Sequence, residues 1–316
     1  MSVIRFIPIY QTRIWGGQKL KSHFGRGIPA NEKIGESWEL VDRPEACNRV
    51  LGEADQTLQD LWEQYRIRLF GKRAPNMARF PILIKLLDCS QTLSLQVHPP
   101  PEQAEILKGE PKTEMWYFLH TEKGAQIYAG LKAGVKKEDF REAIGTPKLA
   151  SLLHTLPTQP GEAMFLPSGR LHAIGAGNLI LEIQQNSDTT YRVDDWGRID
   201  EKTGKPRELH IDQAMESINF KDHEPVFVQP HGQKIIECIY FSVRRNFIYP
   251  GESQEYNPRG QTFQYQFIAQ GGVIQDDITY QVGDAWLVTA DHGSYDLKSG
   301  TEGAEIITVE FPGIKR

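Results

Sequence analysis

A degenerate internal repeat constrains the fold of this 316-residue chain more than any other feature. "GEAMFLPSGRLHAI" from Gly161 lies over "GDAWLVTADHGSYDL" from Gly283, each running glycine, acid, alanine, aromatic or Met, apolar pair and turn. An aromatic strand pattern precedes each copy, "EMWYFL" from Glu114 and "FQYQFI" from Phe263. Repeated β units of this size predict two sandwich or barrel modules in tandem. The 28 glycines and 19 prolines punctuate short apolar runs, as in "FPILIKLLD" (80–88), "TLSLQVHP" (92–99), "NLILEIQQ" (178–185) and "IIECIYFSVRRNFI" (235–248), which read as strands. Helices are fewer: Leu58, Leu61, Trp62, Tyr65 and Leu69 recur at helical spacing behind a capping Thr57. Residues 136–156 predict two short helices broken near Gly145 and Pro147, and 209–218 a third stretch. The chain is therefore mainly β with a few short helices. The proline-bearing stretch 223–233 divides it into a first module, 1–225, and a second, 226–316. His172 falls opposite Ser294 in the overlay, so chemistry belongs to the first module and the second is a degenerate, metal-free copy.

Charge and composition remove several classes of function. A net charge of −5 offers no basic footprint for nucleic acid. No apolar run approaches the roughly 20 residues that span a bilayer, and "MSVIRFIPIYQTRIWGG" lacks a signal-peptide core, so the expectation is a cytoplasmic protein without membrane contact. Cys47, Cys89 and Cys238 are odd in number and widely spaced, which disfavours both disulfides and a thiolate cluster. Any metal must be held by nitrogen and oxygen.

Period-two alternation in "LSLQVHPP" puts Ser94, Gln96 and His98 on one strand face and Leu93, Leu95 and Val97 on the other. Taken singly, this is a wet strand edge, His98 a turn histidine and Glu114 a solvated strand end. Together with His172, which closes the pattern G-x5-P-x-G-x2-H begun at Gly161, they offer two imidazoles, a carboxylate and an amide oxygen. Such a set suits Zn²⁺, one per chain, with Fe²⁺, Mn²⁺ or Co²⁺ as substitutes, and leaves a position open for water or substrate. His23, His120, His154, His210, His223, His231 and His292 lack comparable company and are read as non-ligands.

The glycine-proline turn resembles the second half of the cupin signature, and Gln96-x-His98 followed by Glu114 resembles the metal set of type I phosphomannose isomerases. "IWGGQKL", "IGESWEL", "KTEMWYFL", "PSGRLHAIGAG", "QNSDTTYRVDDWGR" and "RELHIDQAMESI" extend the likeness over roughly the first 220 residues, in the family's order. The chain is shorter than the eukaryotic members and lacks their helical insertion, and Asn178 lies six residues beyond His172 where cupins place an asparagine at four. The resemblance implies tandem cupin-type jelly rolls, also called double-stranded β-helices. It implies an aldose to ketose isomerase interconverting mannose 6-phosphate and fructose 6-phosphate through a cis-enediolate, with a sugar phosphate as partner and a monomer or weak homodimer as assembly. Gln96, His98, Glu114 and His172 would hold the metal. Lys112, Lys85 and Asp188 are rival acid/base groups, Arg192 contacts the 2-hydroxyl oxygen or the phosphate, and Ser94 contacts substrate. Trp15, Trp38 and Trp116 read as core, and "RVDDWGRIDE" beyond Arg192 as a solvated turn. Two other readings remain: an Fe²⁺ cupin dioxygenase, against which the glutamine at 96 argues, and a non-catalytic sugar-binding cupin.

Overall fold

The computed structural model describes residues 3–200 and 203–313. The first sheet runs antiparallel in the order Ala163–Leu166, Glu114–Thr121, Asn178–Gln185, Ile82–Cys89, Ile34–Leu40 and Ile9–Gly17. A second sheet orders Leu153–Pro157, Gln126–Leu131, His172–Ile174, Leu95–Val97 and Tyr191–Asp194. Trp116, Phe118, Met164 and Ile180 from the first meet Ile127, Ala129 and Ile174 from the second in one buried cluster, the interior of a cupin-type jelly roll. The third sheet runs Val3–Ile4, Ala285–Val288, Gln264–Gln275, Tyr295–Glu310, Ser242–Ile248 and Lys234–Glu237, with Ser253–Tyr256 and Ile278–Gln281 paired at its sides. The fold is mainly β, as the punctuation of the sequence predicts.

Alternation of side chains along the strands decides what each face touches. Leu95 and Val97 pack outward on Phe140, Ala214 and Met215 of the helices Lys137–Ala143 and Ile211–Ser217. Their neighbours Ser94, Gln96 and His98 accordingly face the barrel interior. Met115 and Tyr117 leave the first sheet on its other side and join Tyr265, Phe267, Ile307 and Val309 of the third. The two modules thus share one apolar seam, in which each fully buried large side chain contributes ~1.5–3 kcal/mol.

Strand register gives the repeat a residue-by-residue form. Leu166 pairs with Glu114 and Gln184 with Glu114 in the first module. Val288 pairs with Gln264 in the second, and Gln264 Nε2 donates to Glu310 at 2.8 Å across the next strand. Gln264 therefore stands where the first module has Glu114.

Several local expectations need correction. The strand in 92–99 is only Leu95–Val97, because Pro99 and Pro100 have no N–H to extend the ladder and Pro100 caps the helix Pro101–Ala104. Residues 136–156 form one α-helix, Lys137–Ala143, then a 3₁₀ turn Leu149–Leu152 and the strand Leu153–Pro157, so the second predicted helix is absent there. Residues 235–248 split into the strands Lys234–Glu237 and Ser242–Ile248. Helix Leu58–Phe70 starts at the predicted Thr57, whose hydroxyl accepts from Asp60 N while the Asp60 carboxylate accepts from Thr57 N.

Candidate active site

His98, Glu114 and His172 converge between the first two sheets, their ligand atoms all within 4.8 Å of one another. Glu114 Oε1 lies 3.4 Å from His172 Nε2 and Oε2 lies 3.5 Å from His98 Nε2. All three residues are buried, Glu114 completely, so it is no solvated strand end. Local structure aims each ring. His98 Nδ1–H donates to Thr189 O at 2.8 Å and His172 Nδ1–H to Arg170 O at 2.9 Å, which leaves each Nε2 lone pair facing the carboxylate. Gly169 at φ +87° makes the tight turn before His172, and its N–H donates to His98 O at 2.9 Å, tying the two ligand segments together. His172 is also the strand partner of Gln96, whose Nε2 lies 3.3 Å from His172 Nε2. Ser94 Oγ donates to Gln96 Oε1 at 3.3 Å. Exchanging the two ends of that amide turns its oxygen to the cluster and its N–H to Ser94.

Electrostatics favours a cation at this point. Burial, reinforced by the Lys112 ammonium, pushes His98 down to about 3, and burial likewise lowers His172, so both rings stay neutral and able to ligate. Burial opposes charge on Glu114, yet the Lys112 ammonium beside it holds its carboxyl well below the usual range. Glu114 Oε1 and His98 Nε2 have no hydrogen-bond partner, while Glu114 Oε2 faces the Lys112 ammonium. Buried acceptors left without partners are costly. Two imidazole nitrogens, a carboxylate and a nearby amide oxygen fit a divalent metal that would satisfy them at once.

Gln96 and Lys112 join the cluster to a polar cavity of about 310 Å³. Lys112 Nζ stands 2.8 Å from Glu114 Oε2, which holds its pKa well above the ordinary range against the effect of burial. Lys85, Asp188, Arg192 and Ser94 line the same cavity, so every predicted site residue lies in the cluster or along this wall. Lys85 Nζ sits 3.8 Å from both Glu182 Oε2 and Asp188 Oδ1 and 3.9 Å from Glu36 Oε2. Arg192 donates from Nη1 to Glu208 O at 2.6 Å, while its buried Nε has no partner. The tryptophans are buried as expected, but Trp15 and Trp116 also wall the cavity, and Trp116 Nε1–H donates to Glu182 at 3.0 Å.

Four charged cavity residues escape the sequence reading: Arg13, Glu36, Glu182 and Arg207. Glu182 was findable as the one acid inside the apolar run "NLILEIQQ", and Glu36 less clearly as an acid within "IGESWEL". Arg13 binds Glu36 through two hydrogen bonds of 3.0 Å, and with Lys85 it draws that carboxyl down to about 2 although burial works the other way. Arg207 comes from a loop, and its one sequence signal was that it opens the family-like stretch "RELHIDQAMESI".

Residues 3–130 match the family model for the phosphomannose isomerase type I catalytic domain. Over 310 residues, 93% of this chain and 96% of the relative, the sequence is 34% identical to a probable mannose-6-phosphate isomerase, GmuF, of Bacillus subtilis. The chain belongs to the type I phosphomannose isomerases. A second member of the family, ManA of the same organism, is 41% identical over 249 residues, 75% of this chain and 77% of its own. The crystal structure of the mannose 6-phosphate isomerase from Bacillus subtilis superposes with a TM-score of 0.86 at 30% identity, covering 98% of this chain and 99% of that one. The likeness therefore extends over nearly the whole chain and not over the segment 3–130 alone.

Proposed function

We propose that this chain interconverts mannose 6-phosphate and fructose 6-phosphate. The reading rests above all on one observation: a buried His98, Glu114 and His172 cluster with unpartnered acceptors opens, through Gln96 and Lys112, onto a polar cavity lined by arginines. His98, Glu114 and His172, with Gln96 turned to present its oxygen, would hold Zn²⁺, which supplies Lewis-acid stabilisation of a developing oxyanion. Isomerisation moves the C2 proton of the aldose to C1 while the O2 proton passes to O1, by way of a cis-enediolate. Lys112, kept charged by Glu114, is suited to stabilise the enediolate oxygens as a cation, which leaves the carbon-bound proton to another group. We assign that proton to Asp188, whose carboxylate is on the cavity wall and is steadied by Lys85. Arg192 and Arg207 are the cations available for the phosphate, and a guanidinium offers it two parallel donors. Ser94 steadies Gln96 and reaches the same cavity.

The division at residue 225 into a catalytic and a metal-free module belongs to this proposal. So do a cytoplasmic location and a monomeric or weakly dimeric state. Among the described residues no helix is long and apolar enough to cross a membrane. Neither the dioxygenase nor the non-catalytic sugar-binding reading is favoured, given full-length likeness to isomerases and a complete donor set. Asp188→Asn tests the mechanism. The variant should keep its metal content and lose about 10²-fold or more in kcat, measured by coupling fructose 6-phosphate formation to dye reduction. Turnover near the parent value would move the proton transfer to Glu182, whose carboxyl burial raises.

A further inference from the structure

The stretch "RVDDWGRIDE" beyond Arg192 reads in sequence as a solvated turn; the structure has a turn at Trp196 and Gly197 but buries Asp195, and Glu201 lies outside the described residues. Asp195 is 6% exposed, and Trp196 beside it donates from Nε1 to Leu93 O at 2.6 Å, anchoring the turn to the segment that leads into Ser94 and Gln96. The Asp195 carboxylate accepts from two arginines. Arg207 Nε donates to Oδ2 at 2.8 Å and its Nη2 to Oδ1, a bidentate pair, and Arg198 Nη2 also donates to Oδ1. Burial alone raises a carboxyl, yet these bonds hold Asp195 below the usual range, so it stays an anion.

The cations it gathers are unequal in position. Arg207 lines the catalytic cavity together with Arg192, whereas Arg198 does not, and instead donates backward to Thr92 O and Asp195 O. Arg192 feels the other two, its charge disfavoured by burial and then by Arg207 and Arg198. Three guanidiniums this close repel one another, and the single buried carboxylate among them offsets that repulsion only while it stays in place. Arg207 is carried by the loop around 203–208, which contributes no buried apolar side chain to the core clusters, so packing does little to fix it. A bidentate carboxylate is the device left to fix the plane and direction of its guanidinium.

We infer that Asp195 is a positioning residue for the phosphate group of the substrate: it holds Arg207 beside Arg192 at the cavity, and so sets how tightly the anionic end of the sugar is held without taking part in proton transfer. This rests on the isomerase reading above. Preorganised donors lower the ordering cost of binding, so loss of Asp195 falls on affinity and not on the chemical step.

The test uses the full chain loaded with Zn²⁺ and takes kcat and KM for mannose 6-phosphate together with the inhibition constant of inorganic phosphate. Asp195→Asn is expected to raise KM and that inhibition constant together, by about tenfold, with kcat within about twofold of the parent and metal content unchanged. Asp195→Glu keeps the charge one methylene further out and guards against a simple folding failure; it should raise both constants by a smaller factor. Because Asp195 acts through Arg207, the double variant Asp195→Asn/Arg207→Gln should bind phosphate no more weakly than Arg207→Gln alone. Additive effects in that cycle, unchanged constants in Asp195→Asn, or a loss confined to kcat would overturn the inference and leave the isomerase reading intact. An Arg207→Gln variant that inhibits with phosphate as the parent does would overturn the phosphate seat itself, and the inference with it.

Discussion

His98 concentrates the problem that this site solves, because an imidazole must be neutral to ligate and a fully buried one is forced to be. Its folded pKa of about 3 lies below the ordinary value near 6.5, so between those limits the unfolded chain binds a proton that the folded chain does not. Stability present at neutral pH is therefore lost as pH falls from about 6.5 toward 3, and the lowered His172 acts in the same direction. Each such group contributes a slope of up to about 1.4 kcal/mol per pH unit. Chemical denaturation of metal-stripped protein between pH 7.5 and 5 should show this decline, and His98→Gln should flatten it; an unchanged slope would mean that His98 is not the group being protonated. At this scale the four ligand candidates were legible in sequence because they combine scarce side-chain types with a strand period and a glycine-marked turn. Asp195 was not, since an acid beside arginines in a polar loop has the same sequence whether it is buried or wet. Only three-dimensional placement distinguishes them.

Elements deliver these groups, and the turn from Gly161 to His172 does so under conformational constraint. Gly169 and Gly52 have the same φ, +87°, which disfavours any side chain. A Cβ at Gly169 would come within 3.1 Å of Ser217 O, whereas one at Gly52 meets nothing within 4 Å. Alanine at either position should cost about 1–2 kcal/mol in backbone strain, seen as a few degrees in Tm. Only Gly169→Ala should also weaken Zn²⁺ binding, measured by competition with a chromogenic chelator, because Gly169 N–H bonds to His98 O and the turn carries His172. Equal metal affinity in the two variants would show that the turn does not aim the ligand. The sequence marked this turn through its glycines and proline, yet it overextended the strand before His98. Hydrophobic alternation there continues to the prolines, while the strand itself stops at Val97. The second half of 136–156 departs from expectation for a related reason: the apolar run "LASLLHTL" suits helix and strand alike, and pairing with Gln126–Leu131 makes a strand from Leu153 onward, leaving Leu149–Leu152 a 3₁₀ turn.

Across the whole molecule, two β units lie against each other through a shared apolar seam, and the His98, Glu114 and His172 cluster lies in the first of them. Register sets Gln264 where Glu114 stands, and Tyr295 OH donates to Gln264 Oε1 at 2.8 Å, so an amide and a phenol occupy that position of the third sheet. The seam runs from Tyr117, one residue from the cavity wall at Trp116, to Glu305 of the second module, which accepts its phenol hydrogen. The repeat made the tandem arrangement readable from sequence, but the seam itself was not, because the residues that form it look like ordinary inward-facing core. The His98, Glu114 and His172 site, loaded with metal, is proposed as the centre that interconverts mannose 6-phosphate and fructose 6-phosphate. Its most direct test is one titration: strip the protein with a chelator, add back Zn²⁺, and follow both bound metal and fructose 6-phosphate formation. Turnover should be absent after stripping and return in proportion to occupancy, reaching its maximum at one Zn²⁺ per chain; turnover that survives complete stripping, or none at full occupancy, would contradict the account.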